Sequence, residues 1–205
     1  WRKLKYNIDQ VKQSKAAGII SFGGAYSNHI HALAYACYLE KIPCIGFIRG
    51  EAHYQDNATL SCAQKWGMQL IFVDRKTYQR RNQPSYLSAL AEQWPNFHIV
   101  PEGGSNALAL PGVGEVIIEL NQQTTYDTLI TPVGSGGTLA GLIAADSNQH
   151  QILGIAVLKQ AEYLTQHIKQ LLPYGKHFTN WQLLTEFHGG GYGKFSSDDC
   201  RKITD

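Results

Sequence analysis

Methionine is nearly absent. The 205 residues contain one, Met68, and the chain opens on Trp1. An initiator methionine is removed mainly before small residues, so the sequence is expected to be a processed form or a segment of a longer chain. Charge is scarce too. Charged residues are 17% of the chain, below the roughly 25% of ordinary soluble proteins. With 43% hydrophobic residues, that excludes a disordered chain, which combines high charge with few apolar groups. The net charge is +2 and the basic residues are dispersed, apart from small groups at Arg2-Lys3-Lys5 and Arg80-Arg81. That leaves no footprint for nucleic acid or an anionic membrane surface. No apolar run approaches the ~18 residues of a membrane-spanning helix. Cysteine is limited to Cys37, Cys44, Cys62 and Cys200, with no CxxC pair and no His at metal-ligand spacing. The expectation is free thiols in a reducing, cytoplasmic setting and no metal site.

What is present is an alternation. Apolar runs at Gly18–Phe22, Cys44–Ile48, Leu70–Val73, Phe97–Val100, Thr128–Val133 and Ile152–Val157 read as strands. Between them lie helical patterns at Ser27–Glu40, Asn57–Trp66, around Tyr86–Gln93, Gly112–Gln123 and Thr138–Ala145. Near-continuous apolar strands separated by helices imply parallel sheets covered on both faces, an α/β protein. The Gly- and Pro-containing passage 101–114 is the natural place for a domain boundary. The chain is accordingly expected to form two three-layer α/β domains with largely parallel, twisted sheets. Residues 9–107 make the smaller one, and residues 1–8 and 108–205 are part of a larger one.

Two loops carry chemistry. Gly134-Ser135-Gly136-Gly137-Thr138 lies between a strand and a helix. Its glycines permit close backbone approach. The following helix start offers unpaired N–H groups and partial positive charge, and Ser135 and Thr138 add hydroxyls. This predicts a phosphate cradle rather than a bare turn. The dinucleotide fingerprint would need glycine where Leu139 stands, and the P-loop would need a lysine that is absent. A single small phosphate group fits better. The second loop, Ser21–His29, presents Gly23, Gly24, Ser27, Asn28 and His29 at another helix start. It reads equally as a helix cap or as a site for a carboxylate and a ring oxygen. An anion cradle in each half implies a ligand with a phosphate at one end and a carboxylate at the other. Pyridoxal phosphate carrying an amino acid has that layout.

Three segments then carry a family resemblance: Trp1-Arg2-Lys3-Leu4-Lys5-Tyr6, Gly23-Gly24-Ala25-Tyr26-Ser27-Asn28-His29, and Val133-Gly134-Ser135-Gly136-Gly137-Thr138. Pro101-Glu102-Gly103-Gly104 and Phe187-His188-Gly189-Gly190-Gly191-Tyr192 add weaker support. The chain resembles the tryptophan-synthase-β-type (fold type II) pyridoxal phosphate enzymes. Among them it is most similar to the D-cysteine desulfhydrase and 1-aminocyclopropane-1-carboxylate deaminase family.

The resemblance implies pyridoxal 5'-phosphate as cofactor, a small amino acid as substrate and a homodimer. Asn28 would contact the cofactor ring oxygen. Ser27 and the neighbouring amides, with His29, would hold the substrate carboxylate, and Ser27 would join the proton-transfer step. Gly134, Ser135, Gly136, Gly137 and Thr138 would hold the phosphate. Tyr192 would be an acid/base or orienting group, or else an aromatic packed beside a glycine turn. The family's Schiff-base lysine is expected directly before Trp1, because Lys3 would point its amine to another helix face. The implied reaction is D-cysteine to pyruvate, sulfide and ammonia, or ring opening of the cyclopropane substrate to 2-oxobutanoate and ammonia. A serine/threonine dehydratase or cysteine synthase relative, and a non-catalytic binder lacking the lysine, are the alternatives.

Overall fold

Strand and helix alternate as two separate parallel sheets in the structure, a computed structural model that describes residues 1–189. Contacts divide the chain into two compact units, the first being Trp1–Gly112 and the second beginning at Val113. In the first unit α1 (Lys5–Ser14) leads into β1 (Gly18–Gly24), α2 (Asn28–Glu40), β2 (Cys44–Arg49), α3 (Ala58–Lys65), β3 (Gln69–Val73), α4 (Arg75–Gln79), α5 (Pro84–Gln93) and β4 (Phe97–Ile99). The four strands lie in the order β3-β2-β1-β4, all parallel. Residues 1–8 lie with this unit by contact, because Leu4 and Ile8 are buried in its core.

Why these residues form these elements is clearest in α2. Ile30, Leu33, Ala34 and Cys37 are buried, and their three- and four-residue spacing makes one apolar stripe. Ser27 caps the start by accepting from the Ile30 amide, and Lys41 ends the helix in the left-handed region. Alternation along β1 divides the core in two. Ile19 packs with α1, α2 and α3 residues, whereas Ile20 and Phe22 pack with Phe47, Tyr78 and Leu90 on the opposite face. Helices on both faces of one parallel sheet give the three layers expected for this unit.

The second unit contains β5 (Thr128–Val133), α7 (Gly137–Asp146), β6 (Gln151–Ala156), α8 (Tyr163–Leu171) and β7 (Trp181–Leu184), with α6 (Ala109–Gln123) spanning the division. Its strands run parallel in the order β5-β6-β7. Val133, Leu139, Ile143, Ile152, Leu164 and Ile168 form the centre of its core. Pro132 is tolerated in β5, which has a neighbour on one side only among the described residues, since proline cannot donate to a second ladder. Among the described residues no helix is long and apolar enough to cross a membrane, none of the cysteines is paired, and no cluster suits a metal ion.

Candidate functional site

The first loop follows the end of β1. Gly23 is required there: a Cβ would lie 2.5 Å from Ile30 Cγ1 and 2.7 Å from Ser27 Oγ. The strand can therefore meet the start of α2 only without a side chain. Ser27 Oγ accepts from the Ile30 amide at 3.2 Å. The cap reading is thus realised, yet the hydroxyl proton remains available to donate elsewhere. The amides of Asn28 and His29 open the helix and have no intrahelical acceptor. Asn28 is exposed. The loop is braced from below by Asn57, whose Nδ2 donates to the Ala25 carbonyl at 3.0 Å while its Oδ1 caps α3.

His29 is committed inward. Ser21 Oγ donates to the Val100 carbonyl at 2.7 Å and lies 2.7 Å from His29 Nε2. A carbonyl only accepts, so the Ser21 proton is used there, and His29 Nε2 must be the protonated nitrogen that donates to Ser21. Burial, with the Lys3 charge nearby, holds the imidazole down from 6.5 to about 3. His29 is therefore a neutral ring with its single N–H already engaged. Burial also lowers the Lys3 ammonium from its ordinary value. The turn Glu102–Gly104 packs on the ring, with Gly104 in the left-handed region at φ 63°. It is anchored by Glu102, which accepts from Tyr78 Oη at 2.6 Å and from Arg81 Nε and Nη2 at 2.7 Å each.

The second loop joins β5 to α7. Gly136 adopts φ 86° and stands at the N-cap position of α7. A Cβ there would lie 2.9 Å from Ile168 Cγ1, so both conformation and space favour glycine. A Cβ on Gly134 would meet nothing within 4 Å. Ser135 and Thr138 are partly exposed, whereas Gly136 and Gly137 are buried. An open space over Gly134, two hydroxyls and the start of a ten-residue helix make a donor-rich hollow, and that suits a phosphate group. His167 on α8 also borders this loop, its Cδ2 3.7 Å from the Gly136 position, and burial lowers its pKa.

Among the described residues, each candidate site residue singled out from sequence sits in one of two loops. Ser27, Asn28 and His29 open α2, and Gly134, Ser135, Gly136, Gly137 and Thr138 lead into α7. Tyr192 lies outside the described residues. The supporting contacts of Ser21 with Val100, Asn57 with Ala25, Glu102 with Tyr78 and Arg81, and His167 with the Gly136 loop join positions 21 or more residues apart, so no local pattern marks them.

Residues 1–174 match the family profile described as pyridoxal-phosphate dependent enzyme. A Thermotoga maritima protein provisionally named 1-aminocyclopropane-1-carboxylate deaminase is 28% identical over 97% of this chain and 68% of its own length. The mitochondrial bifunctional D-cysteine desulfhydrase/1-aminocyclopropane-1-carboxylate deaminase of Arabidopsis thaliana is 23% identical over 98% of this chain and 56% of its own. The crystal structure of an ACC deaminase homologue superposes with a TM-score of 0.83 at 22% identity, covering 99% of this chain and 66% of that one. The chain thus spans between about half and two thirds of the length of these relatives. The profile match over most of the sequence, on two parallel α/β units, shows that the chain belongs to the pyridoxal-phosphate dependent enzyme family.

Proposed function

We propose that the full-length protein is a pyridoxal-phosphate-dependent lyase and deaminase of small amino acids. D-cysteine desulfuration, giving pyruvate, sulfide and ammonia, is its first activity, and opening of 1-aminocyclopropane-1-carboxylate to 2-oxobutanoate and ammonia its close competitor. The observation that carries this reading is that each unit has its own donor-rich loop at the C-terminal end of a parallel strand and the start of a helix, where open α/β sheets bind ligands. By the family resemblance the protein works as a cytoplasmic homodimer.

When bound, the cofactor supplies an electron sink for charge at the substrate Cα. The chain's own residues supply the rest. The hollow of Gly134, Ser135, Gly136, Gly137 and Thr138 holds the phosphate through amides and hydroxyls. Asn28, exposed at the first position of α2, would contact the ring oxygen, as the family resemblance implies. The substrate carboxylate is held by the amides of Asn28 and His29 and by the free hydroxyl proton of Ser27. The His29 ring shapes that pocket rather than donating into it, because its N–H is spent on Ser21. Ser27 and, by the family resemblance alone, Tyr192 are the groups that would hold or move protons.

Product analysis of the full-length protein tests this. With D-cysteine, 1-aminocyclopropane-1-carboxylate, L- and D-serine and O-acetylserine as separate substrates, 2-oxo acid should form from one or both of the first two. Formation from L-serine alone would favour a dehydratase, and sulfide-dependent conversion of O-acetylserine a cysteine synthase relative. Either result would displace the proposal.

A further inference from the structure

One face of the first unit carries more positive charge than the whole chain. Residues 74–81 read Asp74-Arg75-Lys76-Thr77-Tyr78-Gln79-Arg80-Arg81, and Arg49 ends the adjoining strand β2. Arg49, Arg75, Tyr78, Gln79 and Arg81 line a cleft of about 350 Å³. Counting Arg49 and Glu102 with the segment, five basic groups face two acidic ones, against a net charge of +2 for all 205 residues.

The two acidic groups are both engaged. Glu102 takes Tyr78 Oη and both nearby nitrogens of Arg81. Asp74 spends its carboxylate on the amides of Lys76 and Thr77 and on the Thr77 hydroxyl. Arg81 is therefore balanced, but Arg49 and Arg75 meet no carboxylate among the described residues. The floor between them is rigid: Tyr78 is 3% exposed, with the Arg81 guanidinium 4.8 Å and that of Arg49 5.6 Å from its ring centre. Arg49 points to the sheet face that carries Phe47 and Tyr78, away from the face where His29 meets Ser21.

We propose that this cleft is a second, non-catalytic anion site. It takes a small oxyanion group, the phosphate or carboxylate of a metabolite, between Arg49 and Arg75 with the Gln79 amide as a further donor. Guanidinium forks match the two oxygens of such groups. Two guanidinium groups turned into one polar concavity without a counter-charge repel each other until an anion enters.

The test uses the full-length protein loaded with pyridoxal phosphate, so that the Gly134–Thr138 loop is already filled. Inorganic phosphate and malonate are titrated by calorimetry at constant ionic strength, with chloride as control. At least one of the two should bind saturably. Arg49→Gln and Arg75→Gln should each weaken it by at least about tenfold, while Lys76→Gln, whose side chain does not line the cleft, leaves it unchanged. Both arginines are exposed, and unchanged circular dichroism of the variants separates lost binding from lost fold. Phosphate binding alone would identify the ligand group as a phosphate monoester, malonate alone as a carboxylate. Binding that survives both substitutions, an effect that chloride reproduces, or no saturable binding at all would overturn the proposal and leave an adventitious ion only.

Discussion

His29 looks, from its neighbours Ser27 and Asn28, like a ligand-binding side chain. Its surroundings give it a different task. The ring donates to Ser21, Ser21 donates to Val100, and burial keeps the imidazole neutral. None of this is visible locally, since Ser21 and Val100 stand 79 positions apart. The consequence is a pH dependence of stability. The folded pKa, about 3, lies below the ordinary 6.5, so between these values the unfolded chain binds a proton that the folded chain does not. Stability is then lost as pH falls below 6.5. His29→Gln, which keeps a donor for Ser21, should flatten the decline in melting temperature between pH 6.5 and 4.5. An unchanged slope would show that other groups set it.

Gly136 makes a second prediction at this scale. Positive φ and the 2.9 Å approach to Ile168 mean that Gly136→Ala should cost about 1–3 kcal/mol and weaken pyridoxal phosphate binding at least tenfold, roughly what one lost charged hydrogen bond is worth. Absorbance titration of the full-length protein reads the affinity, and denaturant unfolding reads the stability. Full affinity in the variant would move the phosphate elsewhere.

At the scale of elements, the strands were legible because buried parallel strands are continuous apolar runs, and six of the seven appear in the sequence at nearly their observed bounds. Four elements were not. α1 buries only Ile8, Val11 and the polar Asn7. α4 is five residues long. α8 is nine residues long and buries only Leu164 and Ile168. β7 has four residues, none of them fully buried. In each case tertiary packing rather than pattern decides.

The connection from α7 to β6 shows what such packing can hide. Asp146 is fully buried and accepts from the amides of Gln149 and His150 and from Asn180 Nδ2. It also lies 2.6 Å from His150 Nδ1, and Tyr126 stacks on His150 with ring centres 4.1 Å apart. This cluster fixes the end of α7 far from the helix start that forms the phosphate hollow, since ten residues of helix span about 15 Å. Asp146→Asn should therefore destabilise the protein by about 3 kcal/mol and leave cofactor affinity within about twofold. A melting temperature equal to wild type would show that the cluster is dispensable.

For the whole molecule, two parallel sheets each end in a glycine-containing loop that opens a helix, and this arrangement was readable because loop chemistry is local. Gly23 is fixed by close approach and Gly136 by close approach and positive φ, and such positions announce themselves as glycine in the sequence. Long-range support was not readable: Glu102 reaches back 21 and 24 positions to Arg81 and Tyr78 to hold the turn that packs on His29. Family membership places pyridoxal phosphate in the account. Ligand linkage then predicts that saturating cofactor, at a hundredfold its dissociation constant, stabilises the full-length protein by about 2.7 kcal/mol.

The most direct measurement is the product balance of the cofactor-loaded full-length protein with D-cysteine. Pyruvate is followed by coupled reduction, with sulfide and ammonia assayed on the same samples. The account predicts all three in equal amounts, and a fall of about a hundredfold or more in rate for Ser27→Ala, the scale for losing one well-placed donor. Protein that holds its cofactor yet forms no 2-oxo acid from D-cysteine or from 1-aminocyclopropane-1-carboxylate would contradict it.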